Sequence, residues 1–239
     1  MKYLKHIYLF TLIILLSASC VDTEDYRRFQ VDELEISKSD PNFHIYLCFG
    51  QSNMEGNAAI ENVDKEGVSS RFRMMAVSPD DEEHLGRIAG EWYTAVPPLC
   101  RWDTGLTPID YFGRTMVAET SDNVKVGVIM VAMGGAGIDA FDKENYKKYY
   151  GEADDWQKGL MNIYGGNPYA KLVEMAKIAK QSGVIKGILL HQGETNNMQE
   201  DWPMKVNKIY TDLLKDLTLN SDTVPLLIGE MLTEEQGGI

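Results

Sequence analysis

A serine in a glycine-led turn, directly after an apolar run, is placed where acyl-transfer chemistry is commonly done. Ser52 lies in Gly50-Gln51-Ser52-Asn53-Met54, immediately beyond the run His44–Phe49. Two residues past a strand, its hydroxyl stands at the sheet edge with its own N–H facing a reacting carbonyl. That is the arrangement of a nucleophile beside an oxyanion donor. The same position also suits an ordinary helix N-cap serine. Gly134-Gly135-Ala136-Gly137-Ile138 follows a second apolar run. Paired glycines let the backbone approach a ligand and aim an N–H at a developing oxyanion, though plain strand-to-helix turns use them too. This segment is not a phosphate loop, because no Gly-Lys-Ser/Thr follows. Gln192-Gly193-Glu194-Thr195-Asn196 follows a third run and Gly229-Glu230-Met231 a fourth. The Gln192 amide can donate to a substrate or serve as a structural hydrogen bonder. His191, at the end of an apolar strand, reads as a core histidine, and Cys48 as a packed thiol.

The elements that must hold these residues can be read from the pattern around them. The four runs, His44–Phe49, Val124–Met133, Ile185–His191 and Val224–Ile228, are continuous apolar stretches. Such stretches suit strands buried on both faces of a parallel sheet. Between them lie helical patterns at Pro108–Glu119, Pro168–Gln181 and Pro203–Leu217. The second puts Leu172, Met175, Ala176 and Ala179 on one face and stops at Gly183. The third has Val206, Ile209, Tyr210, Leu213 and Leu217 at i, i+3, i+4 spacing. Strand alternating with helix predicts βαβ units in an α/β fold, a three-layer sandwich on a mostly parallel sheet. In such sheets ligands bind beyond the carboxyl ends of the strands, where all four glycine-containing polar segments fall. The stretch Asn57–Leu106 is long and weakly patterned, and is expected to run over the surface and shape the site.

Taken together, GQSNM at 50–54, GGAGI at 134–138 and HQGETN at 191–196 resemble the sialate O-acetylesterase and acetylxylan esterase group, carbohydrate esterase family six of the SGNH hydrolase superfamily. The likeness runs from about Phe43 to Met231 and includes GEM at 229–231. It implies an SGNH-type α/β/α fold and hydrolysis of acetyl esters on sugar hydroxyls, with Ser52 as nucleophile. The oxyanion hole it implies uses the Ser52 N–H, the N–H of Gly135 or its neighbour Gly134, and the Gln192 side chain. Removing one such donor typically costs about 2.7–4 kcal/mol of transition-state stabilisation. Glu194 and Asn196 would share the rim, orienting the loop or touching substrate, with Gln51 and Asn53 as scaffolding of the nucleophile turn. No metal or organic cofactor is implied.

The resemblance also implies a general base, a histidine in an Asp-x-x-His motif near the C-terminus. No histidine follows His191, and the last aspartate is Asp222. A serine hydroxyl without a base is a poor nucleophile at neutral pH. The sequence is therefore expected to be C-terminally truncated, or to belong to a protein that has lost its base. Little activity is expected from the 239 residues as they stand.

Composition sets the remaining bounds. The 23 basic and 36 acidic residues give a net charge of −13, which argues against nucleic acid as a partner. Three cysteines build no disulfide framework, no CxxC or CxxH spacing suggests zinc, and His6, His44, His84 and His191 are scattered. Lys2 and Lys5, the apolar run Ile7–Leu16 and the small residues before Cys20 have the form of a secretory signal over residues 1–19. The terminal cysteine resembles a bacterial lipoprotein signal, with acylation of Cys20 and export to the cell envelope. Residues 20–41 then read as a polar tether and 42–239 as the esterase domain. Membrane contact is expected only through this anchor. Trp92, Tyr93, Trp102, Tyr111 and Trp156 can supply a sugar-stacking wall or serve the core. A glycan-binding lipoprotein with a residual esterase pocket, or an esterase of lipids, are the alternatives.

Overall fold

The computed structural model describes residues 39–232 and 235. The expected signal at 1–19, Cys20 and most of the tether lie outside the described residues. The last tether positions lie against the domain: Ser39 Oγ donates to the Gly183 carbonyl and the Asp40 N–H to that of Ser182. No helix among the described residues is long and apolar enough to cross a membrane.

Among the described residues six strands form one sheet in the order β3-β2-β4-β1-β5-β6. They are β1 Phe43–Gly50, β2 Phe72–Met75, β3 Trp92–Thr94, β4 Lys125–Ala132, β5 Val184–His191 and β6 Leu226–Ile228. All neighbours pair in parallel except β2 with β3. The central strand β1 is apolar on both sides because both faces are covered. Ile45, Leu47 and Phe49 join one buried cluster, Tyr46 and Cys48 the other.

Among the described residues eight α-helices flank the sheet: α1 Ser52–Glu55, α2 Asn62–Lys65, α3 Asp81–Leu85, α4 Pro108–Ala118, α5 Tyr146–Glu152, α6 Asp155–Ile163, α7 Pro168–Ala179 and α8 Trp202–Leu217. α7 and α8 pack on the Ile45 face through Leu172, Met175, Ala176, Val206, Ile209 and Leu213. α4 packs on the Tyr46 face through Ile109 and Val117. This is the expected three-layer sandwich. α4 starts where its sequence says: Thr107 caps the Ile109 N–H, Asp110 closes a capping box, and Pro108 opens the first turn. It lies close to β2 because residue 113 is glycine; a Cβ there would sit 2.0 Å from the Phe72 ring.

The segment 57–106 corrects the surface-loop expectation. It contributes β2 and β3 to the sheet, with Phe72, Met74, Met75, Ala76 and Val77 buried. Strands of four and three residues, interrupted by Arg73, give too short an alternation to stand out.

Candidate active site

Register brings the glycine-containing strand ends into one row. Gly50, the last residue of β1, pairs with Ala132 of β4 on one side and His191 of β5 on the other. Adjacent strands are about 4.8 Å apart, so residues 51–53, 133–135 and 192–194 must emerge side by side. Two further bonds lock the row: Gln51 N–H donates to the His191 carbonyl at 3.0 Å, and Met133 N–H to the Gly50 carbonyl at 3.1 Å. Gly50 is needed for closeness, since a Cβ there would lie 2.1 Å from the His191 carbonyl oxygen.

Ser52 is the first residue of α1, half-buried at the rim. A first-turn N–H has no intrahelical acceptor, so the Ser52 N–H is available to a ligand. Gly135 takes a left-handed φ of +64°, and neither its N–H nor that of Gly134 donates to a described residue. The structure thus brings Ser52, Gly134 and Gly135 to one edge with unspent donors. The turn is held from behind. Gln157 Nε2 donates to the Gly135 carbonyl at 3.1 Å, and Gly137 N–H donates to the Tyr149 hydroxyl at 2.9 Å.

Gln192 is brought to the same row, but its amide is already engaged. Nε2 donates to Asn196 Oδ1 at 2.5 Å, and to Gln51 Oε1 and the Ala136 carbonyl at 3.2 Å. Its Oε1 accepts from the Trp202 indole N–H at 2.6 Å, which fixes the amide orientation. Two amide hydrogens facing three acceptors leave none free. The expectation of Gln192 as a direct oxyanion donor is therefore revised here to a fully buried node joining three turns. Asn196 is also buried, against the expectation of a substrate contact. Its Oδ1 accepts from Ile138 N–H and Gln192, and its Nδ2 donates to Gln199. Gln51 adds to the node by accepting the Gly193 and Thr195 N–H groups.

Glu194 does face open space. With Asn53, His191, Thr107, Tyr111 and Glu230 it lines a cavity of about 640 Å³. Asn53 Nδ2 donates to Glu194 Oε1 at 2.6 Å. His191 Nδ1 lies 3.8 Å from that oxygen and has no hydrogen-bond partner. The His191 ring packs toward β6, where a Cβ on Gly229 would be 2.5 Å from it. His44 and His84 are the other described histidines, and none of the three bonds the Ser52 hydroxyl. The thiols are no substitute nucleophiles: Cys48 and Cys100 are buried, and burial pushes the Cys100 thiol up to about 11.

A buried ion pair beneath the row carried no sequence signal. Arg101 Nη2 meets Glu55 Oε1 at 2.5 Å, with both side chains under a tenth exposed. Arg101 Nη1 donates to the Ala132 carbonyl at 3.0 Å and to the Tyr164 hydroxyl at 3.3 Å. Glu55 closes α1 and Ala132 closes β4, so this guanidinium clamps the Ser52 turn to the Gly134-Gly135 turn. Glu55 and Arg101 are 46 positions apart, and only the fold pairs them.

Comparison with known proteins agrees with this architecture. A protein from Arabidopsis thaliana of known structure superposes with a TM-score of 0.56 at 19% identity, over 79% of this chain and 74% of that one. A carbohydrate acetylesterase from Xanthomonas citri gives 0.50 at 20% identity, over 77% of this chain and 40% of its own length. NanS gives 0.53 at 15% identity, over 82% and 69%. At these identities the superpositions speak for the fold. Residues 42–238 match a family as a whole, and on that match the chain belongs to the carbohydrate esterases described as sialic acid-specific acetylesterases.

Proposed function

We propose that this carbohydrate esterase removes acetyl groups from sugar hydroxyls through Ser52. Ser52 Oγ attacks the acetyl carbonyl and loses its proton to a base, and the carbonyl oxygen becomes an oxyanion. The N–H groups of Ser52 and Gly135 receive that charge. Collapse breaks the bond to the sugar oxygen, which takes the proton from that base and leaves as a hydroxyl, and acetyl-Ser52 remains. Water then hydrolyses the ester, releasing acetate. The observation that carries this reading is the shared register of Gly50, Ala132 and His191, which sets Ser52 beside two unspent glycine donors. Gln192, Gln51 and Asn196 keep the turns in place, and Glu194 borders the cavity. The pattern around Cys20 supports export and lipid anchoring of this activity at the cell envelope.

One observation favours a second reading, a glycan-binding lipoprotein with a residual pocket: no described histidine bonds the Ser52 hydroxyl. Acetate release from an O-acetylated xylo-oligosaccharide, with Ser52→Ala beside it, separates the two. Release that Ser52→Ala abolishes supports the esterase, even at the low rate expected without an identified base; glycan binding with no release above that of Ser52→Ala supports the second.

A further inference from the structure

Trp156 is an unusual residue to find exposed. It is 55% exposed, yet its six-membered ring is pressed against Gly135, where a Cβ would lie 2.6 Å from the indole edge. Gly135 Cα is one bond from the N–H assigned to the oxyanion, so the indole lies against the residue that donates it. Trp156 is also held stiffly. It sits in the first turn of α6, which Asp154 and Gln157 close as a capping box. The same Gln157 side chain bolts that turn to the Gly135 carbonyl. An indole seated by hydrogen bonds on its own helix costs little entropy to use as a contact surface. Trp102, the other exposed tryptophan, already has a face covered by the His84 ring, stacked at 3.8 Å.

The carboxylate and ammonium or guanidinium groups among the described residues lining the cavity are of one sign. Glu194 and Glu230 line the cavity on the β6 side, and Asp154 and Asp155 flank Trp156 on the other. No lysine or arginine is among the described residues lining that cavity. Lys158, two positions after Trp156, lies about 200° round the helix. Arg101 is buried and paired to Glu55. A substrate carboxylate in that cavity would face Glu194 and Glu230 and no lysine or arginine among the described lining residues. An uncharged sugar ring, with its apolar C–H face, matches a free indole.

We infer that Trp156 is a specificity-determining residue that stacks the sugar ring of an uncharged O-acetylated carbohydrate, and that the acidic rim disfavours acidic sugars such as sialic acid. The inference rests on the esterase reading for the role of Gly135, but its test does not need turnover. The Ser52→Ala chain is titrated with O-acetylated xylobiose, and separately with 9-O-acetyl-N-acetylneuraminic acid, by calorimetry. Added Trp156→Ala is expected to weaken xylobiose-ester binding at least about tenfold, equal to about 1.4 kcal/mol. Trp156→Phe should keep most of the affinity, and Trp102→Ala all of it. The acidic sugar should bind more weakly than the neutral one and gain on raising the salt. Unchanged affinity in Trp156→Ala, no binding of the neutral ester, or tighter binding of the acidic sugar would each overturn the inference. Acetate release by the unsubstituted chain is followed separately, so failure of the esterase reading shows there and not in the titration.

Discussion

Removing Arg101 should cost more stability than any other single change near the site. The guanidinium and the Glu55 carboxylate are 4% and 9% exposed, so water cannot take over from either partner. In Arg101→Met the neutral acceptors regroup, because the Tyr164 hydroxyl already donates to the Ala132 carbonyl at 3.1 Å. Glu55 alone is stranded. Breaking a buried pair from one side costs about 3–5 kcal/mol, a large share of the roughly 5–15 kcal/mol that holds a domain. Glu55→Gln should cost less, about 1–3 kcal/mol, since Arg101 keeps Ala132 and Tyr164. The double variant Glu55→Gln/Arg101→Met should be more stable than Arg101→Met, because no charge is left buried. Urea unfolding followed by circular dichroism reads these differences. With a slope of about 2 kcal/mol per molar, Arg101→Met shifts the midpoint by roughly 2 M. Losses that simply add in the double variant would refute the clamp.

Three further outcomes follow from other residues. Burial pushes the Asp110 carboxyl up to about 6, and its Oδ1 has no partner. Its folded pKa exceeds the unfolded one, so its favourable contribution is full below about pH 4 and lost as pH rises through 6; Asp110→Asn should therefore gain up to about 3 kcal/mol over the parent above pH 6 and little below pH 4, in urea unfolding at each pH. Gly135→Ala meets both a left-handed φ and the Trp156 ring, and should lower kcat on an acetyl ester by at least about tenfold with a shifted Trp156 fluorescence; an unchanged kcat would remove Gly135 from the oxyanion hole. Trp202→Phe deletes the indole N–H that fixes Gln192, and should destabilise by about 1–3 kcal/mol in the same unfolding assay; a neutral effect would mean that Gln192 is held by its other partners alone.

Much of the scaffold was legible from periodicity. Long buried strands and the proline-started helices Pro108–Ala118 and Pro168–Ala179 announce themselves by apolar runs and start signals. β2 and β3 did not: β2 is buried by β4 and α4, which no local pattern reveals, and the three-residue β3 pairs with β2 and stays half-exposed. α6 was also missed, although it carries the Gln157 and Trp156 that brace and border Gly135. At the site, residue types pointed to Ser52 and the glycine pair. Sequence alone could not tell a Gln192 amide aimed at substrate from one spent on Asn196, since that depends on where Trp202 of α8 docks. The Glu55–Arg101 pair needs the whole sheet to bring its halves together.

The central claim is that Ser52 takes the acetyl group. It is tested most directly by incubating the protein with O-acetylated xylo-oligosaccharide, quenching in acid and mapping its peptides by mass spectrometry. The account predicts the mass of one added acetyl group on the peptide that carries Ser52, and its absence from Ser52→Ala. Acetate released at equal rates by both proteins, or an acetyl group found only elsewhere in the chain, would contradict it.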